Sequence, residues 1–237
     1  MGMGADIIAV YRRAGDFARA VLLIVALPIA VEMARHALMS PGSNPRAIVL
    51  AFTLLSTATM LFVLVTALRW WRFEGDWARI RMLRWRVLWG IVAMMAIQLA
   101  DEMLFTAAGH MLANLAGHDR AAFVWGAQLM WLLVSVPLFP WYVAMMSDDP
   151  LTLAEAIRRM RPCWLYGFGV ILGALAPVLA LAGLVRGLHP VVGDIAEQVG
   201  IALANGIMIA ATMLVTDAAY FGVYRIARAE DDASAAR

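Results

Sequence analysis

The sequence predicts an all-α, polytopic membrane protein with six transmembrane helices, and three observations carry that prediction. Of the 237 residues, 63% are hydrophobic and only 15% are charged, against roughly half and a quarter in a soluble globular domain. The apolar surplus recurs in long uncharged stretches over the whole chain, so it has to face lipid rather than fill one large core. The arginines collect between those stretches, mostly on one side of the predicted membrane.

The spans follow from counting uncharged runs against the roughly 20 apolar residues that cross a hydrocarbon core of about 30 Å. Ala47 to Leu68 has 22 such residues, Ala121 to Ser147 has 27, Pro162 to Val185 has 24 and Gln198 to Thr216 has 19. Two further runs reach spanning length only by taking an acid into the membrane. They are Ala20 to Val31, 12 residues before Glu32, and Val87 to Ala100, 14 residues before Asp101 and Glu102. The helix starts agree with these limits. Asn44 with Pro45 reads as an N-cap and first-turn proline for the second span, and Asp119 caps the fourth. Asp194 with Glu197 gives a capping box for the sixth, and Thr152 with Glu155 gives one for a short helix before the fifth, which Pro162 separates from the span. Residues 1–237 are thus read as one six-helix domain.

Arginine placement gives orientation, because positive charge stays on the cytoplasmic side. Arg12, Arg13, Arg19, Arg69, Arg72, Arg79, Arg81, Arg84, Arg86, Arg158, Arg159, Arg161, Arg225, Arg228 and Arg237 fall on one side; Arg35, Arg46, Arg120 and Arg186 fall on the other. Both termini are therefore expected in the cytoplasm. Trp70, Trp71, Trp77, Trp85, Trp89, Trp141 and Trp164 gather at the same ends, as an interfacial aromatic belt does. A competing reading makes Arg12 to Val31 a signal peptide, but no small-x-small cleavage site follows the run cleanly, and cleavage would leave five spans. All 19 basic residues are Arg and none is Lys, which points to a GC-rich bacterial genome and hence to an inner membrane.

Before the first, third and fifth spans stand three similar segments: AVYRRAGDFARAVLL from Ala9, ARIRMLRWRVLWG from Ala78 and AEAIRRMRPCWLYG from Ala154. Each is basic and amphipathic, suited to lie at the interface with its apolar side in the acyl region and its arginines on anionic headgroups. Arg79, Arg81, Arg84 and Arg86, the most numerous group, are the candidate headgroup contacts. The pattern is either a threefold repeat or the ordinary composition of a cytoplasmic helix start.

The third segment extends to LTLAEAIRRMRPCWLYGFGVIL from Leu151, and MLVTDAAYFGVYRIAR follows from Met213. Through Leu153, Glu155 and Ala156, and through Thr216, Tyr220, Tyr224 and Arg225, these stretches resemble the six-helix bacterial membrane domain found with some glycerophosphoryl diester phosphodiesterases and in free-standing inner-membrane proteins. The rest of the chain resembles that family in topology. In it the phosphodiesterase chemistry belongs to a separate soluble domain, so the resemblance implies fold and location and no catalytic residue here.

Acids inside spans cost about 2.5–3.5 kcal/mol at a helix centre on insertion scales, so each needs a reason to be there. Glu32 lies about 18 Å along its helix from Ala20, and Asp101 about 21 Å from Val87, which puts both in the outer half of the membrane. On one reading Glu32, Arg35, Gln98 and Asp101 or Glu102 line a polar pocket for an ion, a proton or a lipid headgroup. On the other, Glu32 pairs with Arg35 or His36, while Asp101 and Glu102 end a short third span. Asp217 is expected at the cytoplasmic edge, pairing with Arg161 or reaching water. Ala204, Asn205 and Gly206 form a small-residue surface suited to helix packing and an interhelical hydrogen bond.

Other chemistry has little sequence support. The single Cys163 excludes an intrachain disulfide framework, and His36, His110, His118 and His189 lack metal-ligand spacing. No pair of histidines within the spans offers haem axial ligands, and the 16 methionines are distributed as packing residues rather than as a copper site. Nucleotide and nucleophile-elbow fingerprints are absent, no cofactor is expected, and the basic pI reflects topology rather than nucleic-acid binding. The expectation is an inner-membrane protein without enzymatic activity, structural, regulatory or accessory, touching anionic lipid and either a protein partner or a second copy. The rival is a small transporter or channel built on Glu32, Asp101 and Glu102.

Overall fold

A computed structural model describes residues 2–38, 46–116, 120–186 and 195–235. The expected caps at Asn44, Pro45, Asp119 and Asp194 lie outside the described residues, as do His118, His189 and the side chains of Asp101, Glu102 and Glu197.

The described residues form an all-α fold. Its helices are α1 (Met3–Ala20), α2 (Leu22–Leu38), α3 (Arg46–Arg72), α4 (Trp77–Arg81), α5 (Trp85–Ala100), α6 (Ala107–Ala116), α7 (Arg120–Ser135), α8 (Phe139–Met146), α9 (Leu153–Met160), α10 (Trp164–Arg186) and α11 (Ile195–Ala235). A π turn, Asp101–Thr106, joins α5 to α6, and short 3₁₀ turns join α7 to α8 and α9 to α10. Five helical stretches are long and apolar enough to cross a membrane, or six if α1 and α2, which meet at 91°, count as one span. The chain is thus a polytopic membrane protein. Its third span is not short: the helix runs on past Asp101 and Glu102, and the apolar stretch reaches from Trp85 to Leu112. A π turn absorbs the acids without ending the helix, which counting uncharged residues could not reveal.

Contacts divide the chain into two compact units, Met1–Ile80 with Ile171–Ala219, and Arg81–Val170 with Tyr220–Arg237.

In the first unit α1 is amphipathic, and protein covers its apolar face. Val10, Ala14 and Phe17 are buried, with Phe17 edge-on to Trp70 at 5.7 Å. Trp71 donates from Nε1 to the Arg13 carbonyl at 3.2 Å, and Tyr11 donates to the Ala174 carbonyl of α10 at 2.6 Å. The sequence expectation put this face in the acyl region; here α3 and α10 take the place of lipid. Along α3 the buried residues all fall between Val63 and Trp71, while Phe52, Ser56, Thr59, Met60 and Leu61 are half-buried and Leu50, Leu54, Leu55 and Phe62 are exposed.

The expected small-residue surface on α11 is a close helix crossing. A Cβ at Gly206 would lie 3.1 Å from the Ile29 Cα and 3.3 Å from its carbonyl oxygen, whereas one at Gly200 would meet nothing within 4 Å. Alanine ordinarily gains about 1 kcal/mol over glycine in a helix, so Gly200→Ala is expected to raise the thermal midpoint slightly. Gly206→Ala is expected to lower it, because backbone cannot move aside as a side chain can. Unfolding curves of the two variants in one detergent check the opposite signs.

In the second unit α5 crosses α8 at Gly90, where an added Cβ would stand 2.9 Å from Met146 Cγ and 3.2 Å from the Met146 nitrogen. Pro137 has no N–H for the carbonyl four residues earlier, and Trp164 Nε1 donates to that Leu133 carbonyl. The capping box read from sequence is present. Glu155 N donates to Thr152 Oγ1 at 3.3 Å, and Thr152 N donates to Glu155 Oε2 at 2.9 Å.

Candidate functional site

The candidate headgroup contacts occupy the turn from α4 into α5. Asp76 starts α4 by accepting from Ala78 N at 3.0 Å, and Glu74 and Gly75 take positive φ of 53° and 82° to make the preceding turn. α4 lasts only five residues, and the chain stays non-helical through Arg84 before α5 begins. Arg79, Arg81, Arg84 and Arg86 are all exposed along this stretch, and so are Met82, Leu83, Trp85 and Trp89. Alternating guanidinium and large apolar side chains are what an interface that is charged above and oily below requires. The Arg79 guanidinium also lies over the Phe73 ring, 4.5 Å from its centroid.

Arg69 has a different role from the topological charge expected of it. It is buried and donates from Nε to the Ile80 carbonyl at 2.9 Å and from Nη2 to the Arg79 carbonyl at 2.8 Å. A cation thus closes the C-terminal end of α4, where free carbonyls carry partial negative charge.

Glu32 is buried on α2. Arg35 grips it in a fork, with Nε 2.9 Å from Oε2 and Nη2 on Oε1, while His36 Nε2 lies 3.2 Å from Oε1. Both partners come from the next helical turn, so α2 meets the needs of its own acid. Of the other polar candidates, Gln98 is exposed on α5, and Asp101 and Glu102 open the π turn. Glu32 and Arg35 belong to the first unit, and Gln98, Asp101 and Glu102 to the second. Among the described residues no three His, Cys, Asp or Glu side chains converge on a common point.

Sequence reasoning passed over the second unit's buried carboxylate. Asp149 is 1% exposed, in the turn between α8 and α9, where Asp148 takes φ of 57°. Its Oδ2 accepts from the Tyr224 hydroxyl and from Arg228 Nη2 at 2.6 Å. Its Oδ1 accepts from Leu151 N at 3.2 Å. One carboxylate therefore fastens the turn to two successive turns of α11. Tyr220, one turn before Tyr224, stacks on Phe139 with ring centroids 4.0 Å apart. Asp217 departs from the expected pairing with Arg161 or access to water. It is buried, and its Oδ2 has no hydrogen-bond partner among the described residues. Burial, which distance along the helix does not reveal, is what shuts water out.

Comparison with protein-family models, with curated proteins and with solved structures finds no match to this chain.

Proposed function

We propose that the protein is a non-enzymatic, accessory component of the bacterial inner membrane that engages anionic lipid through the Arg79–Arg86 turn. The observation that carries this reading is the joint exposure of Arg79, Arg81, Arg84 and Arg86 with Met82, Leu83, Trp85 and Trp89. Its apolar members suit the acyl region, and its guanidinium groups suit phosphate oxygens, which they can contact in a bidentate manner. The likeness to the membrane domain found with glycerophosphoryl diester phosphodiesterases fits this reading. Of the residues that carry it, Ala156 and Tyr224 are buried, while Leu153 and Arg225 are exposed.

The test is lipid selectivity. Replacing Arg79, Arg81, Arg84 and Arg86 by Gln is expected to reduce enrichment of phosphatidylglycerol around the protein by up to about fivefold per arginine at low salt, with the effect shrinking as salt rises. Native mass spectrometry of the protein released from mixed-lipid vesicles reads this out, and unchanged enrichment would overturn the proposal.

A second reading, a small transporter or channel, is favoured by one observation: two acids open a π turn within a spanning helix, and π turns cluster at functional sites. On the leading reading, Glu32→Gln and Asp101→Asn leave ion and proton flux into proteoliposomes at the protein-free background. Flux above background that either variant abolishes, at normal expression, would establish the transporter instead.

A further inference from the structure

Phe73, in the turn between α3 and α4, has two guanidinium groups against its ring. That of Arg69 lies 5.0 Å from the ring centroid and that of Arg79 lies 4.5 Å from it, and the two are used in opposite ways. Arg69 is buried and sends Nε and Nη2 inward to the Ile80 and Arg79 carbonyls. Arg79 is exposed, and among the described residues none of its side-chain N–H groups is spent on a protein acceptor.

Arg79 is nonetheless held at three points. Its amide donates to Asp76 Oδ1 at 3.4 Å, its carbonyl accepts from Arg69 Nη2 at 2.8 Å, and its guanidinium rests on Phe73. Phe73 is half-buried, and its own amide donates to the Arg69 carbonyl at 2.8 Å, which ties the ring to the end of α3. Arg81, Arg84 and Arg86 have no such hold. They are exposed, and among the described residues nothing engages their guanidinium groups.

That difference changes what each arginine can do. A freely swinging arginine must be immobilised when it grips an anion, and ordering one long side chain costs about two- to tenfold in affinity. Phe73 has already ordered Arg79 by cation–π attraction, which leaves the N–H donors for a pair of phosphate oxygens. Of the acids in the turn, Asp76 directs Oδ1 to the Ala78 and Arg79 amides, and neither it nor Glu74 pairs with the Arg79 guanidinium. Met82, Leu83 and Trp85 are exposed next along the chain and suit the acyl region, which favours the phosphate of a lipid over a free ion.

We propose, resting on the headgroup reading above, that Arg79 is the residue of this turn that fixes a lipid phosphate at one position. Phe73 is its positioning residue, and Arg81, Arg84 and Arg86 supply attraction without a fixed geometry.

The test compares Arg79→Gln, Arg81→Gln, Arg84→Gln and Arg86→Gln singly, by native mass spectrometry from the same mixed-lipid vesicles. Arg79→Gln is expected to lower phosphatidylglycerol enrichment severalfold more than any of the other three. The gap is expected to widen as salt rises to about 0.15 M, where diffuse attraction is screened beyond about 8 Å and a hydrogen-bonded ion pair is affected less. Phe73→Leu keeps all four charges and is expected to lose about two- to tenfold, whereas Phe73→Tyr keeps the ring and should retain wild-type enrichment. In the Arg79→Gln background Phe73→Leu should cost nothing more; a further loss there would show that Phe73 only shapes the turn, and would overturn its positioning role. Equal losses from the four single variants, with a larger loss from the fourfold variant, would overturn the assignment to Arg79 and leave the headgroup reading standing. Full enrichment in the fourfold variant would overturn both. Replacing chloride by inorganic phosphate at equal ionic strength is expected to leave enrichment unchanged, and displacement of the lipid would overturn the choice of a lipid phosphate.

Discussion

Asp149→Ala is expected to destabilise the detergent-solubilised protein by about 2–4 kcal/mol, less than removal of one partner from a fully buried ion pair, because the Arg228 side chain is 35% exposed and water reaches it. The carboxylate is 1% exposed, so its loss strips the buried Tyr224 hydroxyl of an acceptor that water cannot easily replace. Asp149→Asn keeps the shape but removes the charge, and belongs between wild type and Ala. Tyr224→Phe deletes one hydrogen bond to a charged group and is expected to lose about 1.5–3 kcal/mol. A cycle combining Asp149→Ala with Arg228→Met separates the pair from its parts. If the three residues act as one fastening, the double variant is less destabilised than the two singles added together, because the second change no longer strands a charge. Thermal unfolding followed by tryptophan fluorescence measures all four. Strict additivity, or a Tyr224→Phe protein indistinguishable from wild type, would show that the contact carries no stability.

The consequence is mechanical as well as energetic. Asp149 connects a turn to α11, and Tyr220 on the same helix stacks on Phe139 of α8. The end of α11 is therefore held to α8 and the turn after it by one charged network and one aromatic stack. Losing the first leaves the second, so local fraying of α11 beyond Tyr224 should precede global unfolding. Hydrogen exchange would show this as early loss of protection from Arg225 onward.

Which features were legible in the sequence depends on how far apart their determinants lie. Spans are local, and the uncharged runs from Ala47, Ala121, Pro162 and Gln198 all fall on long apolar helices. The Thr152–Glu155 capping box needs four consecutive residues and was readable for that reason. So was the pairing of Glu32 with Arg35, because i,i+3 spacing brings the two side chains together on any helix. For the third span, counting charge leaves two readings, one that takes Asp101 and Glu102 into the membrane and one that ends at them. Backbone geometry selects the first, and a π turn has no simple sequence signature. Asp149 was invisible since Tyr224 and Arg228 lie 75 and 79 residues away. Nothing in the stretch Ser147–Pro150 says that it folds against α11. Distance along the helix puts Asp217 at the cytoplasmic edge, whereas its burial depends on residues that pack around it from elsewhere in the chain.

Arg69 gives the second large expectation, and it concerns the same turn that presents the headgroup arginines. Charge counting assigns Arg69 to the same role as Arg79 or Arg81, yet it is 1% exposed and spends its donors on the carbonyls of Arg79 and Ile80. Arg69→Met keeps the apolar stem and deletes the fork. The buried Ile80 carbonyl left without its donor costs about 1–3 kcal/mol, while water can replace the donor at the exposed Arg79, so a loss of about 1–3 kcal/mol is expected. Arg69→Lys should recover only part of it, because a single ammonium cannot reproduce two donors held in a planar fork. The Phe73 ring, 5.0 Å from the Arg69 guanidinium, loses a cation on one side as well. If Arg69 fixes the α4 turn, Arg69→Met should also weaken phosphatidylglycerol enrichment even though Arg79, Arg81, Arg84 and Arg86 are intact, because a loosened turn no longer presents them together. A variant that is destabilised yet keeps full lipid selectivity would mean the four arginines bind independently of their scaffold, and Arg69 would then serve folding alone.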